Sequence, residues 1–347
     1  MTRTPLPVIE IGGYSGSGKT TLLLELVARL PRAGLRPLVV KHDAHGLKVD
    51  RANSDTARLF AAGADVAALD PAQSFLRSHR GDDVEWETLL AQAASAYDLV
   101  LVEGFKRLEV PCKIWLRRHA RDRAPPGLGF RLDLGRNDDR PAAAMARINR
   151  WLRQWHRAAP VYGAILVGGQ SRRMGRPKHQ LGFRGTTWLS RAEAALRPHV
   201  LEVVLLGCPE RAGRLGLRRL PDVPDREGPM AGLMAALRWQ PAARWIVTAC
   251  DMPLLDADGI GWLAGQTGPG YLAVMGRSVE GAPPDPFPGI FEGRFATRLA
   301  QAKGPIGIAQ LARTATPAVP PKLRAMWRNF NSPGDCQALA AVAADGR

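Results

Sequence analysis

Two glycine-rich loops of different kinds, each placed directly after a strand-like apolar run, constrain this chain more than any other feature. The first reads Gly13-Tyr14-Ser15-Gly16-Ser17-Gly18-Lys19-Thr20 and lies between Val8-Ile9-Glu10-Ile11 and the helical stretch Thr21-Leu22-Leu23-Leu24-Glu25-Leu26-Val27. That is the strand, loop and helix setting of a P-loop, in which backbone N–H groups surround a β-phosphate at the positive end of a helix. The second loop, Gly168-Gly169-Gln170-Ser171-Arg172-Arg173-Met174-Gly175-Arg176-Pro177-Lys178, follows Val161-Tyr162-Gly163-Ala164-Ile165. It is glycine-rich and basic, yet it is not a P-loop. Two such loops in 347 residues predict two α/β nucleotide-handling domains joined end to end, each long enough to bury its own core.

The rest of the pattern agrees. In the first half apolar runs at residues 8–12, 37–41, 66–69, 98–102 and 113–116 alternate with helical stretches near 20–30, 55–62 and 84–96. Alternation of this kind means a parallel sheet covered by helices. Residues 117–140, rich in Arg, Asp, Gly and Pro, read as surface loop, residues 141–155 as an amphipathic helix, and 156–160 as a short linker. The cycle restarts with strands at 161–165, 202–206 and 244–249, helices near 188–196, from after Gly232 to about 239, and near 294–301, and a closing helix after Ser332. The expected fold class is α/β, two doubly wound domains over residues 1–157 and 158–347. In open sheets of this type ligands sit beyond the carboxyl ends of the strands, where both glycine loops fall.

Composition narrows the function. No apolar run approaches the roughly 18 residues of a membrane span and the N-terminus lacks a signal-peptide pattern, so a cytoplasmic protein without membrane association is expected. The four cysteines, Cys112, Cys208, Cys250 and Cys336, are far apart with no Cys-x-x-Cys, which suits reduced structural thiols. A net charge of +16 invites a nucleic-acid partner. All but eight of the 48 basic residues are arginine, however, and both halves share the excess. A compositional bias plus anionic small-molecule ligands explains that better than a nucleic-acid stripe does.

In the first loop Gly13, Ser15, Gly16, Ser17, Gly18, Lys19, Thr20 and Thr21 are the expected nucleotide-binding residues. Lys19 would neutralise the β- and γ-phosphates and Thr20 would reach Mg²⁺. A carboxylate must complete the metal's surroundings, and Glu103, delivered at the end of the run 98–102, is the candidate; the alternative is a plain strand-end acid. His42 and His45, also at a strand end, face either the γ-phosphate, a partner, or solvent. The second loop offers paired glycines with Arg172, Arg173 and Lys178, a set suited to a triphosphate. Its spacing alone names no reaction.

Two resemblances add to this reading. The P-loop followed by Val40-Lys41-His42, Val49-Asp50, Ser54-Asp55, Ala62-Gly63-Ala64 and Leu101-Val102-Glu103-Gly104-Phe105-Lys106 resembles the GTP-binding adaptor family of molybdopterin-guanine dinucleotide biosynthesis over roughly residues 6–118. The run from Leu166 to Lys178 resembles the signature of the molybdenum cofactor guanylyltransferase family, a Rossmann-like nucleotidyltransferase fold. Pro221-Asp222, then Gly228-Pro229-Met230-Ala231-Gly232, Cys250-Asp251-Met252-Pro253 and Asn329-Phe330-Asn331-Ser332-Pro333 follow in the family's order. The chain departs from that family at Leu206-Gly207-Cys208, where an Asn is usual, and at residues 302–307, where Lys303 is the lone cation.

The second resemblance implies transfer of GMP from GTP to the terminal phosphate of molybdopterin. It implies Leu166, Val167, Gly168, Gly169, Lys178, Asp222 and Asp251 as nucleotide-binding residues and Lys178, Arg173 and Asp251 as catalytic. Asp251 would ligate Mg²⁺, while Asn329 and Asn331 would hold the pterin. Asp222 is otherwise a turn residue, and the two asparagines are otherwise turn formers before the last helix. The first resemblance implies a GTP-binding adaptor that hydrolyses GTP slowly or serves as a non-catalytic delivery module, with apo-molybdoenzymes or their chaperones as partners. The rival to the whole is a cytidylyltransferase using CTP, whose Arg-Met-Gly-x-Pro-Lys run this chain shares; the paired glycines favour GTP.

Overall fold

A strand covered on both sides by helices needs apolar residues at successive positions, not alternate ones. Leu99–Glu103 is buried at every position and Val8–Gly13 at five of its six, and both lie inside a parallel sheet. The computed structural model of the protein describes residues 5–41, 54–64, 66–69, 71, 73–77, 86–94, 96–104, 110–124, 130–167, 177–207, 216–300, 306–311 and 313–344. The chain divides into two compact units, the first Leu6–Ile148 and the second built mainly of Asn149–Arg347.

The first unit runs β1 (Val8–Gly13), α1 (Lys19–Arg29), β2 (Pro37–Lys41), α2 (Asp55–Ala61), β3 (Val66–Leu69), β4 (Ser74–Arg77), α3 (Trp86–Ala93), β5 (Leu99–Glu103), β6 (Cys112–Leu116) and β7 (Phe130–Leu134). The division between the units falls inside the next helix, α4 (Arg140–Arg157). Five strands form one sheet in the order β2-β5-β1-β6-β7, and every pairing in it is parallel. All five therefore end at the same edge, with the phosphate loop leaving the central strand.

Three expectations need correction here. Residues 130–134 are not surface loop: they form the edge strand β7, paired in register with β6. The run 66–69 is a strand but does not join the parallel sheet, pairing instead with β4 in an antiparallel hairpin. The linker expected to begin at residue 156 is still helix, because α4 runs on to Arg157.

The second unit runs β8 (Val161–Leu166), β9 (Gly182–Phe183), β10 (Thr186–Thr187), α5 (Trp188–Leu196), β11 (Val203–Leu206), β12 (Arg218–Leu220), α6 (Pro229–Trp239), β13 (Arg244–Ala249), α7 (Ala257–Gly265), β14 (Ala273–Met275), β15 (Gly289–Glu292), α8 (Ala296–Leu299), β16 (Thr314–Ala315) and α9 (Pro333–Ala344). Helix starts follow local chemistry: Thr187 and Asp256 accept from the backbone N–H of Ser190 and Gly259 and so cap α5 and α7. The helix expected over 294–301 is only four residues of α-helix, Ala296–Leu299, entered through a 3₁₀ turn.

Seven strands make the sheet β12-β11-β8-β13-β15-β14-β16. Alternate residues of its strands feed opposite cores. Leu166, Val204, Trp245 and Val247 pack with Leu233 and Leu237 of α6, whereas Ile165, Leu205 and Ile246 pack with Leu189 and Leu196 of α5 and Ile260 of α7. The sheet is thus covered on both faces. From β12 to β13 the strands are parallel, but β15 runs against β13, with Val247 opposite Gly289 and Arg244 opposite Glu292. The proline-rich stretch 282–288 therefore enters β15 at the edge where β13 ends. Asp285 ties it down, donating its N–H to Gly276 O at 2.8 Å and accepting from Ser278 N at 3.1 Å.

Candidate functional site

The phosphate loop of the first unit is shaped by its glycines. Gly13 ends β1 at φ +150°, and a Cβ there would lie 2.4 Å from Ser17 Oγ and 2.8 Å from Leu116 O. Gly18, at φ +92°, precedes α1 in the left-handed region. Lys19 folds back so that its Nζ donates to Gly13 O at 3.1 Å and Tyr14 O at 3.2 Å. Ser17 is buried, while Ser15, Gly16, Thr20 and Thr21 are exposed at the sheet edge. Glu103, the last residue of β5, is only 8 % exposed and stands in register with Ile11 of β1 and Lys41 of β2. A buried strand-end carboxylate beside the loop fits the metal-side role better than a solvated acid does. His42 and His45 lie outside the described residues.

Sequence reasoning missed the cations behind this loop. Arg140, at the start of α4, donates to Ser17 O, Arg117 O and Gly135 O, each at 2.7 Å. Burial, and then the like charge of Arg136, lower its pKa, although a guanidinium stays charged at any ordinary pH. Arg118 donates to Ser15 O at 3.3 Å and lies over the Tyr14 ring, which meets Trp115 edge to face. Beside them a cavity of about 450 Å³ opens between residues 117–120 and 135–138. Its size is that of a small-molecule site, and the segment that follows β7, a strand missed from the sequence, supplies one of its walls.

In the second unit three segments far apart in sequence meet. Leu166 ends β8 and Val167 follows it, both buried, and Val167 N donates to Leu206 O at 3.0 Å. Cys250 N donates to Leu166 O at 3.1 Å, which places the Cys250-Asp251 turn, just past β13, against that strand end. Lys178 Nζ then reaches Asp251 Oδ2 at 2.8 Å and Asn331 Oδ1 at 2.6 Å. The pair is largely shielded, with side chains 19 % and 17 % exposed. Asp251 O in turn accepts from Phe330 N at 2.9 Å. Phe330 is buried with Leu181, Phe183, Trp188 and Leu339, and this packing carries Asn331 to the site.

In this unit Asp335 escaped the sequence. Asp335 accepts from Asn331 N, from Ser332 N and Oγ, and from Arg328 Nη2. These bonds, led by the one from Asn331, lower its pKa to about 2. The signal was present in part, since an acid three residues after Ser332 at a helix start is a familiar capping pattern.

Other expected residues are placed differently. Asp222 follows β12 and leans on α6, since a Cβ on Gly232 would lie 3.3 Å from its Oδ1. It is exposed on one side, and the partial burial of its carboxyl raises its pKa. Asn329 is exposed and is not brought to Lys178 by any bond among those described. Gly168, Gly169, Arg172, Arg173, Arg176, Cys208 and Lys303 lie outside the described residues.

The donor set suits a hard divalent ion. Asp251 Oδ1 is buried and, among the described residues, has no hydrogen-bond partner, while Oδ2 is taken by Lys178. One free carboxylate oxygen matches Mg²⁺, which takes most of its ligands from phosphates and water. No helix among the described residues is long and apolar enough to cross a membrane.

Known proteins align with both units. Residues 163–342, more than half of the chain, match the family described as MobA-like NTP transferase domain. Residues 8–128 match the family described as molybdopterin guanine dinucleotide synthesis protein B. The chain is 35 % identical over 130 residues to the molybdopterin-guanine dinucleotide biosynthesis adapter protein of Escherichia coli, covering 36 % of this chain and 74 % of that one. It is 40 % identical over 134 residues to a probable molybdenum cofactor guanylyltransferase of Opitutus terrae, covering 37 % and 65 %. It is 27 % identical over 184 residues to the molybdenum cofactor biosynthesis bifunctional protein of Synechocystis sp., covering 51 % and 52 %. The chain thus spans between about half and three quarters of the length of these relatives. With both halves matched in this order, the chain belongs to the MobA-like nucleotidyltransferases through its second half and to the molybdopterin guanine dinucleotide synthesis protein B family through its first, a bifunctional arrangement for molybdenum cofactor biosynthesis.

Proposed function

We propose that residues 158–347 transfer GMP from GTP to the terminal phosphate of molybdopterin, and that residues 1–157 bind GTP as an adaptor. The observation that carries this reading is the meeting of Lys178, Asp251 and Asn331 on one ammonium group. Those residues come from three segments that a guanylyltransferase would devote to nucleotide, metal and pterin.

The nucleophile, a phosphate oxygen of molybdopterin, is already ionised, so no general base is needed. It forms a bond to the α-phosphorus of GTP as the bond to the bridging oxygen breaks and diphosphate leaves. Catalysis then rests on alignment and on neutralising charge. Lys178, fixed between Asp251 and Asn331, lies where it can offset triphosphate charge and hold nucleotide and acceptor in line. Arg173, on the glycine loop, is proposed as a second cation for the leaving diphosphate. Leu166, Val167, Gly168 and Gly169 would contact the nucleotide through backbone. Asp222, through its carboxylate oxygens, would accept from the guanine N1–H and amino group. Asn331, with Asn329, would hold the pterin. Mg²⁺ would sit on Asp251 and, in the first unit, near Thr20 and Glu103, supplying charge neutralisation at the phosphates.

For the first unit the reading is GTP binding with slow hydrolysis, and delivery of the finished cofactor to apo-molybdoenzymes or their chaperones in the cytoplasm. Incubating the protein with Mg²⁺, molybdopterin and either GTP or CTP, and following diphosphate and dinucleotide by mass, tests the assignment. Product from GTP alone is expected; product from CTP would move the activity to cytidylyl transfer.

A further inference from the structure

The carbonyls of the phosphate loop are held from behind by groups that come from far along the chain. Arg140 uses Nη1 on Ser17 O, Nη2 on Arg117 O and Nε on Gly135 O, all at 2.7 Å. The loops after β1, β6 and β7 thus meet on one guanidinium at the edge where all three strands end. The arrangement is close: a Cβ on Gly18 would lie 3.1 Å from Arg140 Nη1.

A trans peptide points its C=O and its N–H in opposite directions. Fixing the Ser17 carbonyl against Arg140 therefore fixes the direction of the Gly18 N–H, which points away from Arg140. Arg118 does the same two residues earlier, holding Ser15 O and so directing the Gly16 N–H. Amides used to bind an anion must be oriented before it arrives, because any reorganisation is subtracted from affinity. A planar fork fixes the directions of its three bonds; a lysine ammonium also has three donors, but they rotate about a compact point of charge and cannot reach three carbonyls so widely spread.

We infer that Arg140 is a positioning residue for nucleotide binding by the first unit: it pins the Ser17 carbonyl to the β6 and β7 loops and thereby sets the Gly18 amide and the β-phosphate subsite. The three donors that Arg140 commits to this frame all go to carbonyls. The inference rests on the reading of residues 13–21 as a phosphate loop. It predicts a loss that depends on the β-phosphate and is not general to the nucleotide.

The test uses the full-length chain with Asp251→Ala and Lys178→Ala, which silence the second site. Displacement of a fluorescent GDP analogue by GDP and by GMP is measured for this parent and for versions carrying Arg140→Lys or Arg140→Ala, together with the thermal midpoint of each. Both changes are expected to weaken GDP roughly tenfold or more and GMP less than about threefold, since GMP has no β-phosphate to lose. Added guanidinium ion should restore part of the GDP affinity of Arg140→Ala, a recovery that repacking of the fold would not give. Should Arg140→Ala unfold, Arg140→Lys retains the stem and still reports the ratio. Equal losses for GDP and GMP, or no loss for either, would overturn the inference. Failure of the parent itself to bind GDP would instead overturn the reading of the phosphate loop, so the two failures are distinguishable.

Discussion

The two sites solve the same problem, holding a polyphosphate, by opposite means. In the first unit a contiguous run of backbone does the holding, its carbonyls clamped by Lys19 and by Arg118 and Arg140 from outside the run. In the second unit the described part of the site centres on three side chains, Lys178, Asp251 and Asn331, drawn from segments 73 and 153 residues apart. A backbone site is sensitive to conformation and a side-chain site to charge. The first is therefore read easily from a short motif, and the second only when distant segments are considered together.

The sharpest way to break this comparison is to remove one functional group from each side. Asp251→Ala should lower guanylyl transfer by at least about a thousandfold, because it takes the metal's protein ligand and leaves Lys178 without its counterion. Lys19→Ala should leave transfer within about twofold, as expected for independent sites. Comparable losses in a diphosphate-release assay would end the division of labour. Next in size, Gly13→Ala removes no functional group, yet it should reduce GDP binding by the first unit about a hundredfold by forcing a Cβ onto Ser17 and Leu116. Lys178→Arg keeps the charge and should cost transfer only about tenfold, against a much larger loss for Lys178→Met. If Gly13→Ala binds GDP normally, the contrast between backbone and side-chain sites fails.

The smallest effect concerns Asp335. Its pKa falls from 3.8 to about 2 on folding, so the stabilisation it gives is fully present above pH ~4 and disappears as pH drops through ~2. Asp335→Asn should therefore lower the thermal midpoint at pH 6, with the gap to the parent closing between pH ~4 and ~2. At neutral pH the same change should raise KM for molybdopterin more than it lowers kcat, because it loosens Asn331 and leaves Lys178 and Asp251 in place. A gap that persists at pH 2 would mean that Asp335 acts through packing.

What the sequence showed, and what it hid, follows from the same physics. β1, β5, β8, β11 and β13 are mainly apolar runs, interrupted only at Glu10, Glu103, Arg244 and Thr248, and both loops follow such a run, so the parallel cores and their edges were legible. β7 was not. Its residues alternate, Arg131 and Asp133 pair with each other at 2.9 Å on the outside, and an edge strand with one polar face among arginines and prolines looks like loop. β3 was read as a strand, but nothing in four residues says that it pairs with β4 and not with the sheet. Glu103, Lys178 and Asp251 were marked by position at strand ends or in glycine loops. Arg140 carried no local mark: its role depends on a carbonyl 123 residues away, and one arginine among so many is indistinguishable by composition.

One feature of the second sheet bears on how substrate is received. Because β15 runs against β13, the stretch 282–288 meets the sheet at the carboxyl end of β13, the end from which Asp251 projects. Pro283, Pro284, Pro286 and Pro288 fix four of its seven φ angles, and Asp285 anchors its middle. The rim on that side has little conformational entropy left to lose, so a ligand settling against it would be charged mainly for its own immobilisation and little for that of the protein.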